Sequence, residues 1–166
     1  MTDPMKLYRN VVPDDAAEIC RIYNPFVTDT TVSFEQEPLS EEAMRRRIED
    51  IASQYPYIVC EVDGHIAGYC YVHTWKERAA YGGTMETTIY LDDRYKHQGI
   101  AKELMTLLID RCRHLGYHSL IACITADNEE SCHFHARLGF RLVSHFKAVG
   151  HKFGRDLDVV DYQLML

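Results

Sequence analysis

A single glycine in the segment YLDDRYKHQGIAKELM, residues 90–105, stands where an anion-binding loop would place one. An apolar run precedes the segment and a helical pattern follows it, so Gly99 falls at the start of a helix. The first amides of a helix lack intrahelical partners and carry about half a positive charge from the helix dipole. Lys96 and Lys102 add charge on either side. This arrangement suits a phosphate or pyrophosphate group.

Two familiar phosphate-binding motifs do not fit this loop. The Gly-Lys-Ser/Thr ending of a P-loop is missing, and a dinucleotide fingerprint would need further glycines. Taken alone, a glycine-containing turn without a ligand explains the segment as well as an anion site does. The choice therefore depends on the surrounding residues.

A carboxylate lies in the middle of the predicted strand TMETTIYL, residues 84–91. Strand alternation places Glu86 on the same face as Thr88 and Tyr90. A glutamate among Thr, Met and Ile side chains is a candidate general base for removing a proton from a substrate. The other interpretation is a polar residue on a solvent-facing strand surface, and the strand alone does not decide between them.

Two other clusters contain residue types that bind metals or nucleic acids. CHFH at 132–135 has metal-ligand types, but no second ligand cluster and no C-x-x-C accompany it, so no metal site is predicted. Three consecutive arginines at 45–47 could form a nucleic-acid patch. The acidic residues around them favour a solvated helix face instead.

The composition of the whole chain is that of an ordinary globular protein. Its 166 residues are 46% hydrophobic and 26% charged, which predicts a single domain over residues 1–166. The net charge of −7 provides no general attraction to nucleic acid or to an anionic membrane, so neither is predicted as a partner. No stretch approaches the ~20 apolar residues that cross a bilayer. Six cysteines without paired spacing, and no secretory pattern, predict reduced thiols and a cytoplasmic protein.

Hydrophobic periodicity predicts the elements that must position these residues. Strands are expected at 7–12, on both sides of an Asp63-Gly64 hairpin turn, at 84–91, at 119–124, and in two final runs at 140–150 and 159–166. Helices are expected at 13–24, 41–54, 99–115 and 128–138, with 24–40 irregular. The order predicts a mixed α/β domain, with an early helix pair, a three-strand meander and then β-α-β-α-β-β.

Two motifs in this order resemble those of the GCN5-related N-acetyltransferases (GNAT). Their acetyl-CoA signature, Arg/Gln-x-x-Gly-x-Gly/Ala, is matched by Lys96-His97-Gln98-Gly99-Ile100-Ala101. Their downstream pattern, Asn-x-x-Ser-x-x-x-Tyr-x-x-x-Gly-Phe, is matched in spacing by Asn128, Ser131, His135, Gly139 and Phe140. Lys96 replaces the usual arginine or glutamine, and His135 replaces the usual tyrosine. The resemblance implies a GNAT fold, with a mixed, largely antiparallel sheet of about six to seven strands flanked by helices.

Over residues 6–164, the chain resembles one subgroup of this family, the phosphinothricin and methionine sulfoximine N-acetyltransferases. The segments TVSFEQEP, METTIYL, HARLGF and VGHKFGRDLDVVDYQL carry it, and a histidine occupies the position of His135 in that subgroup. It implies acetyl transfer from acetyl-CoA to the α-amine of a small amino-acid analogue. Glu86 would be the general base, directly or through a water, and His135 the general acid for the departing thiolate.

The same resemblance implies binding roles around these two residues. The family usually bulges the strand after Glu86, which would turn backbone amides toward the pantetheine at Thr88, Ile89, Tyr90 and Leu91. Asn128 and Ser131 would line the pantetheine arm, and residues 96–101 would hold the pyrophosphate. A homodimer with the acceptor site near the interface is also implied.

The acceptor needs cations for its carboxylate and phosphinate groups, and aromatic walls. Five residues have suitable types: Phe34, Trp75, Lys76, Arg78 and Tyr81. For the loop at 75–81, a solvated basic-aromatic turn is the other interpretation. Alternative functions are acetylation of a polyamine, an aminoglycoside or a protein N-terminus, or a non-catalytic acyl-CoA-binding module. The presence of both Glu86 and His135 argues against the module.

Overall fold

The computed structural model describes residues 3–166, so residues 1 and 2 of the predicted domain lie outside the described part. The seven strands are Lys6–Asn10 (β1), Tyr57–Val62 (β2), His65–Thr74 (β3), Thr84–Leu91 (β4), Ser119–Thr125 (β5), Arg141–Lys152 (β6) and Arg155–Met165 (β7). The α-helices are Ala16–Thr28 (α1), Glu41–Ala52 (α2), Ile100–His114 (α3) and Glu129–Arg137 (α4).

The strands form one sheet in the order β1-β2-β3-β4-β5-β7-β6. Every neighbouring pair is antiparallel except β4 and β5, which are parallel. The prediction of a mixed, largely antiparallel sheet flanked by helices is therefore confirmed.

The parallel pair is short, and this opens the sheet in its middle. β4 pairs with β5 only from Thr84–Ser119 to Glu86–Ile121. Beyond Glu86, β4 continues along β3 while β5 continues along β7, so the two strands diverge. The gap that results begins at Glu86.

Each face of the sheet has its own apolar core. α1 and α2 place Ile19, Val27 and Ile48 against one face, where all three are fully buried. α3 places Leu104 and Leu108 against the other face, also fully buried. Burying such a side chain contributes ~1.5–3 kcal/mol, so helix packing from both faces holds the walls of the gap in place.

Most element types and positions agree with the sequence predictions. Asp63 and Gly64 both have positive φ, 51° and 83°, as a two-residue type I′ hairpin turn requires. Helix α2 begins after Ser40, whose side chain accepts a hydrogen bond from the amide of Ala43. β4 has the predicted bounds, whereas β1 ends two residues early, before Pro13 opens a 3-10 turn, and β7 begins earlier than predicted, at Arg155.

The prediction that residues 24–40 are irregular is wrong at its start. Helix α1 continues through Pro25 to Thr28. Val27 is fully buried there, and the amide of Asp29 donates to the carbonyl of Pro25 at 2.9 Å. Tertiary packing and this bond sustain a last turn that the proline alone would disfavour.

The predicted bulge in β4 is also wrong. The register between β3 and β4 runs without a shift from Gly68–Leu91 to Thr74–Met85. Because the ladder to β5 stops at Glu86, the backbone groups of 87–91 that point away from β3 face the gap without a bulge. Strand divergence thus produces the free amides that the bulge was expected to provide.

Two expectations about the chain as a whole concern membranes and thiols. Among the helices of residues 3–166, none has the length and apolar character needed to cross a bilayer. All six cysteines are free thiols, and four of them are buried: Cys20, Cys60, Cys70 and Cys112.

Candidate active site

The gap between β4 and β5 contains a cavity that gathers most of the predicted catalytic and pantetheine-binding residues. Its lining includes Glu86 at the mouth of the gap and His135 from α4. The other predicted residues in the lining are Thr88, Ile89, Tyr90, Asn128 and Ser131. Two elements that are distant in sequence, β4 and α4, thus bring a carboxylate and an imidazole to one cavity.

Glu86 is partly exposed and is paired with a histidine that the sequence analysis missed. Its Oε2 atom lies 3.1 Å from Nε2 of His73, and 30% of the Glu86 side chain is exposed. His73 is the cross-strand neighbour of Glu86 in the register of β3 and β4. The hydrogen bond to Glu86 raises the pKa of His73 above its ordinary value, against the opposing effect of burial. The long connection at 75–83 hides this register from sequence inspection.

His135 is almost completely buried, with 3% of its surface exposed. Its Nδ1 atom lies 2.8 Å from the carbonyl oxygen of Ser131, which can only accept, so Nδ1 carries a proton. The rings of Phe134 and Phe140 meet it edge-on. Burial lowers the pKa of His135, and the bond to Ser131 opposes that effect only in part. At neutral pH the ring is therefore neutral, with Nε2 as the unprotonated atom.

The predicted Asn-x-x-Ser motif has a structural role at the start of α4. The side chain of Asn128 caps the helix by accepting a hydrogen bond from the amide of Ser131 at 3.2 Å. The cap satisfies an amide that would otherwise lack a partner. Because Ser131 in turn accepts from His135, the cap also helps to orient the imidazole.

The predicted pyrophosphate loop has the backbone geometry of an anion site. Gly99 adopts a left-handed conformation, φ 79°, immediately before α3, and His97 is also left-handed at φ 63°. The first amides of α3 are left without helical partners, as at any helix start. A cleft continuous with the gap is lined by Lys96, His97 and Ala101 together with Leu91, Tyr90, Asn128 and Ser131. The side chain of Ile100 points instead into the core, where it is fully buried.

Lys96 is already paired with acidic neighbours. Its Nζ atom lies 3.1 Å from Oδ1 of Asp93 and 3.7 Å from Oε2 of Glu130. The bond to Asp93 raises the pKa of Lys96. Gln98, outside the cleft lining, accepts a hydrogen bond at its carbonyl from Nζ of Lys6 at 2.6 Å. Lys96 therefore has two carboxylate partners within the protein.

A second cavity adjoins Glu86 on the side of the segment at 32–35. Phe34 lines it together with Glu35, Glu86, Tyr90 and Cys123. The Phe34 ring lies against Gly150 of β6, where any β-carbon would clash with it. Of the five predicted acceptor residues, Phe34 is the one that the structure brings to this cavity.

Three of the other four predicted acceptor residues, Trp75, Lys76 and Tyr81, form a cluster on the connection between β3 and β4. Trp75 and Tyr81 meet edge-on with ring centroids 5.4 Å apart. Nζ of Lys76 lies 4.5 Å from the Trp75 ring centroid and 5.5 Å from that of Tyr81, within cation–π range. None of these residues, nor Arg78, lines the two cavities at Glu86 in the described chain.

Polar contacts, partly or fully buried, hold the segment that carries Phe34. Arg47 binds both carboxylate oxygens of Glu35, at 2.6 and 3.2 Å, and Tyr23 donates to Glu35 at 2.6 Å. Buried Lys152 donates to the carbonyl of Ser33 at 2.6 Å. The sequence analysis did not identify this network, because its members come from four separate parts of the chain.

The arginine run and the CHFH segment also have structural partners. Arg45 pairs with Asp14 at 3.0 Å and Arg46 with Glu42 at 3.7 Å, which leaves each of the three arginines in an ion pair. In residues 3–166, no three metal-ligating side chains come together as a metal site would require.

The fold is that of an acetyltransferase family. A family model described as an acetyltransferase (GNAT) domain matches residues 9–160. The chain belongs to the GNAT family and is an N-acetyltransferase that depends on acetyl-CoA.

Relatives with narrower descriptions cover most of the chain. A phosphinothricin N-acetyltransferase from Streptomyces viridochromogenes is 34% identical over 149 residues, covering 90% of this chain and 81% of that protein. An L-methionine sulfoximine/L-methionine sulfone acetyltransferase from Pseudomonas aeruginosa is 33% identical, covering 92% and 90%. A crystal structure of a phosphinothricin acetyltransferase from Sinorhizobium meliloti with bound acetyl-CoA has a TM-score of 0.92 at 35% identity, covering 97% and 88%.

Proposed function

We propose that the chain transfers the acetyl group of acetyl-CoA to the α-amine of a small amino-acid analogue of the phosphinothricin or methionine sulfoximine kind. The observation that carries the proposal is the convergence of Glu86 and His135 on one cavity where β4 leaves β5. The names of the two relatives at 33–34% identity support the substrate class.

The cleft fits a long phosphorylated thioester. The left-handed Gly99 and the free amides at the start of α3 would hold the pyrophosphate. The backbone of 88–91 would bind the pantetheine arm, with Asn128 and Ser131 on the opposite wall. When bound, acetyl-CoA supplies the activated acetyl group and leaves as a thiol.

The chain's own groups would manage the protons of the reaction. Glu86, at the mouth of the gap, would take a proton from the acceptor ammonium, directly or through a water. His135 would supply a proton from Nε2 to the departing sulfur. Because burial lowers the pKa of His135, this donor is a stronger acid than an ordinary imidazolium but is less populated at neutral pH.

If His135 is the general acid, its contribution to kcat should decrease as pH rises. The imidazolium is present below the lowered pKa and is lost as pH rises through it. We expect His135→Phe to lower kcat by about 100-fold at acidic pH, with a smaller loss toward neutral pH. Steady-state kcat at saturating substrates, measured from pH 5 to 8, checks this. A wild-type-to-variant ratio that is constant over this range would exclude the acid role.

The acceptor side requires cations from outside the cavity. Two carboxylates, Glu35 and Glu86, line the cavity next to Phe34, and its lining in the described chain has no lysine or arginine. A substrate carboxylate would therefore meet Lys76 and Arg78 from the connection at 75–81. We propose these residues, with Trp75 and Tyr81 as aromatic walls, as the acceptor clamp of this chain or of a second copy.

A homodimer is the proposed assembly, because β6 is an edge strand with an exposed apolar surface. Five large hydrophobic side chains are exposed along β6 and its turn: Leu142, Val143, Phe146, Val149 and Phe153. An unpaired edge with apolar side chains favours association with another chain. The surface continues to Gly150, on which Phe34 of the acceptor cavity rests.

A charge on this surface should separate the proposed dimer. We expect Phe146→Glu to shift the mass measured by light scattering from twice 19.3 kDa to 19.3 kDa. Leu115→Glu, at an apolar position after α3 that is also exposed, should leave the mass unchanged. A wild-type mass of one chain, or a Phe146→Glu variant that retains the dimer mass, would contradict the proposed interface.

An acceptor panel tests the proposed function. We expect thiol release from acetyl-CoA with phosphinothricin and methionine sulfoximine at kcat/KM values well above those for spermidine, an aminoglycoside and a peptide N-terminus. Activity with only spermidine, the aminoglycoside or the peptide N-terminus would contradict the proposed substrate class and assign a different one. Binding of acetyl-CoA without turnover of any amine would indicate an acyl-CoA-binding module.

We also propose that the protein is located in the cytoplasm, a reducing compartment in which free thiols persist.

A further inference from the structure

We propose that His73 is a positioning residue for Glu86, holding its carboxylate at the mouth of the gap through an ion pair between neighbouring strands. The inference deepens the proposed function and rests on the role of Glu86 as the base. His73 belongs to neither of the sequence motifs that indicate the cofactor site, and it lines neither cavity at Glu86.

Each ring nitrogen of His73 lies close to an oxygen atom. Nε2 lies 3.1 Å from Oε2 of Glu86, and Nδ1 lies 3.0 Å from the carbonyl oxygen of Thr74. Both partners are acceptors, so the doubly protonated ring is the form that donates at each end. The bond to the carbonyl fixes the ring and thereby fixes the direction in which it holds Glu86.

The register of the two strands brings His73 and Glu86 together. His73 and Glu86 are directly opposite each other in an antiparallel ladder that has no register shift. On its other side, Glu86 is the last residue of β4 that pairs with β5, opposite Ile121. Beyond this point β4 has a partner on one side only, and the imidazole is the group that fixes the carboxylate there.

The other titratable groups around the pair stay neutral or are more remote. Tyr71, whose ring centroid is 5.9 Å from that of His73, has a pKa raised by burial. Cys123 of β5 has a pKa raised to about 12, chiefly by burial and also by Asp161 of β7 and by Glu86. Glu86 is therefore the charged group that acts most strongly on His73.

Protonation of His73 should consequently control how Glu86 is held. The raised pKa of His73 keeps the imidazolium populated to a higher pH than in an ordinary histidine, and the cation is lost as pH rises through the raised pKa. Because Nδ1 keeps its proton on the Thr74 carbonyl, Nε2 is the atom that loses one. Its lone pair would then face the carboxylate, and the restraint on Glu86 would disappear.

Kinetics of paired variants test the positioning role. We expect His73→Leu to lower kcat about 10- to 100-fold with an unchanged KM for acetyl-CoA, because a displaced base acts on a bound substrate less often. His73→Gln keeps a donor without titrating, so it should recover most of the lost kcat. The kcat ratio of wild type to His73→Gln should fall as pH rises above the ordinary histidine pKa.

A matched control is available on the same strand. His65 lies 3.2 Å from Glu18 in a second histidine–glutamate pair far along β3 from the gap, so His65→Leu should retain wild-type kcat. A His73→Leu variant with wild-type kcat and an unaltered pH profile would overturn the positioning role.

A measurement without substrate separates this inference from the proposed function. NMR titration of the His73 ring should give a pKa above the ordinary value in the wild type and a lower one in Glu86→Gln. An identical pKa in both proteins would refute the pair. If the wild type acetylates no amine at all, the proposed function fails, while the titration still decides whether His73 and Glu86 are coupled.

Discussion

Glu86→Gln should lower kcat by about two to four orders of magnitude, the usual contribution of a positioned general base. The amide preserves the shape of the side chain but cannot accept the proton of the acceptor ammonium. Glu86 lies at the mouth of the gap and not at the pyrophosphate loop, so the KM for acetyl-CoA should change little. The measurement is steady-state thiol release from acetyl-CoA from pH 6 to 9, with circular dichroism to confirm folding.

The control for this variant is Glu18→Gln. Glu18 also bonds a histidine of β3, but it belongs to α1 and contacts the far end of that strand at His65 and Ile66. We expect wild-type kcat from Glu18→Gln. If Glu86→Gln turned over at the wild-type rate across the pH range, Glu86 would have no role as the base.

Gly99→Val should raise the KM for acetyl-CoA about 10- to 100-fold while the kcat at saturation stays close to that of the wild type. Gly99 has φ 79° immediately before α3, and a β-branched residue in this conformation costs ~1–3 kcal/mol. Relief of that strain would turn the first amides of α3 away from the pyrophosphate. Varying acetyl-CoA at fixed acceptor, together with calorimetric titration of the cofactor, measures the effect.

Gly116→Val separates loss of binding from general destabilisation. Gly116 follows the other end of α3 at φ 85°, and a β-carbon there, as at Gly99, would meet no close neighbour. The two variants should show similar losses in thermal stability, with acetyl-CoA affinity reduced in Gly99→Val alone. Equal affinities in both variants would show that this loop does not hold the cofactor.

Local patterns were sufficient to predict the elements that carry the site. Alternation in TMETTIYL places Glu86 and Tyr90 on one face, and the structure agrees, since both line the cavity next to Phe34. Asn128 occurs at a helix start, as its side-chain chemistry favours. These features depend on residues within a few positions of one another, so the sequence reveals them directly.

Features that depend on distant contacts could not be predicted in the same way. The divergence of β4 from β5 results from which strand each continues to pair with, and no local pattern encodes that choice. The His73–Glu86 contact depends on a register hidden behind the connection at 75–83. The pairing of Lys96 with Asp93 follows helical spacing, but its second partner, Glu130, comes from α4.

The measurement that tests the central claim most directly is the identity of the acetylated product. With acetyl-CoA labelled by ¹³C in the acetyl group, NMR and mass spectrometry can locate the label in phosphinothricin or methionine sulfoximine. We expect one acetyl group on the α-nitrogen for each thiol released, and product formation about two to four orders of magnitude slower with Glu86→Gln. Thiol release without an N-acetylated product, or equal product formation by the Glu86→Gln variant, would contradict acetyl transfer by the residues at the gap between β4 and β5.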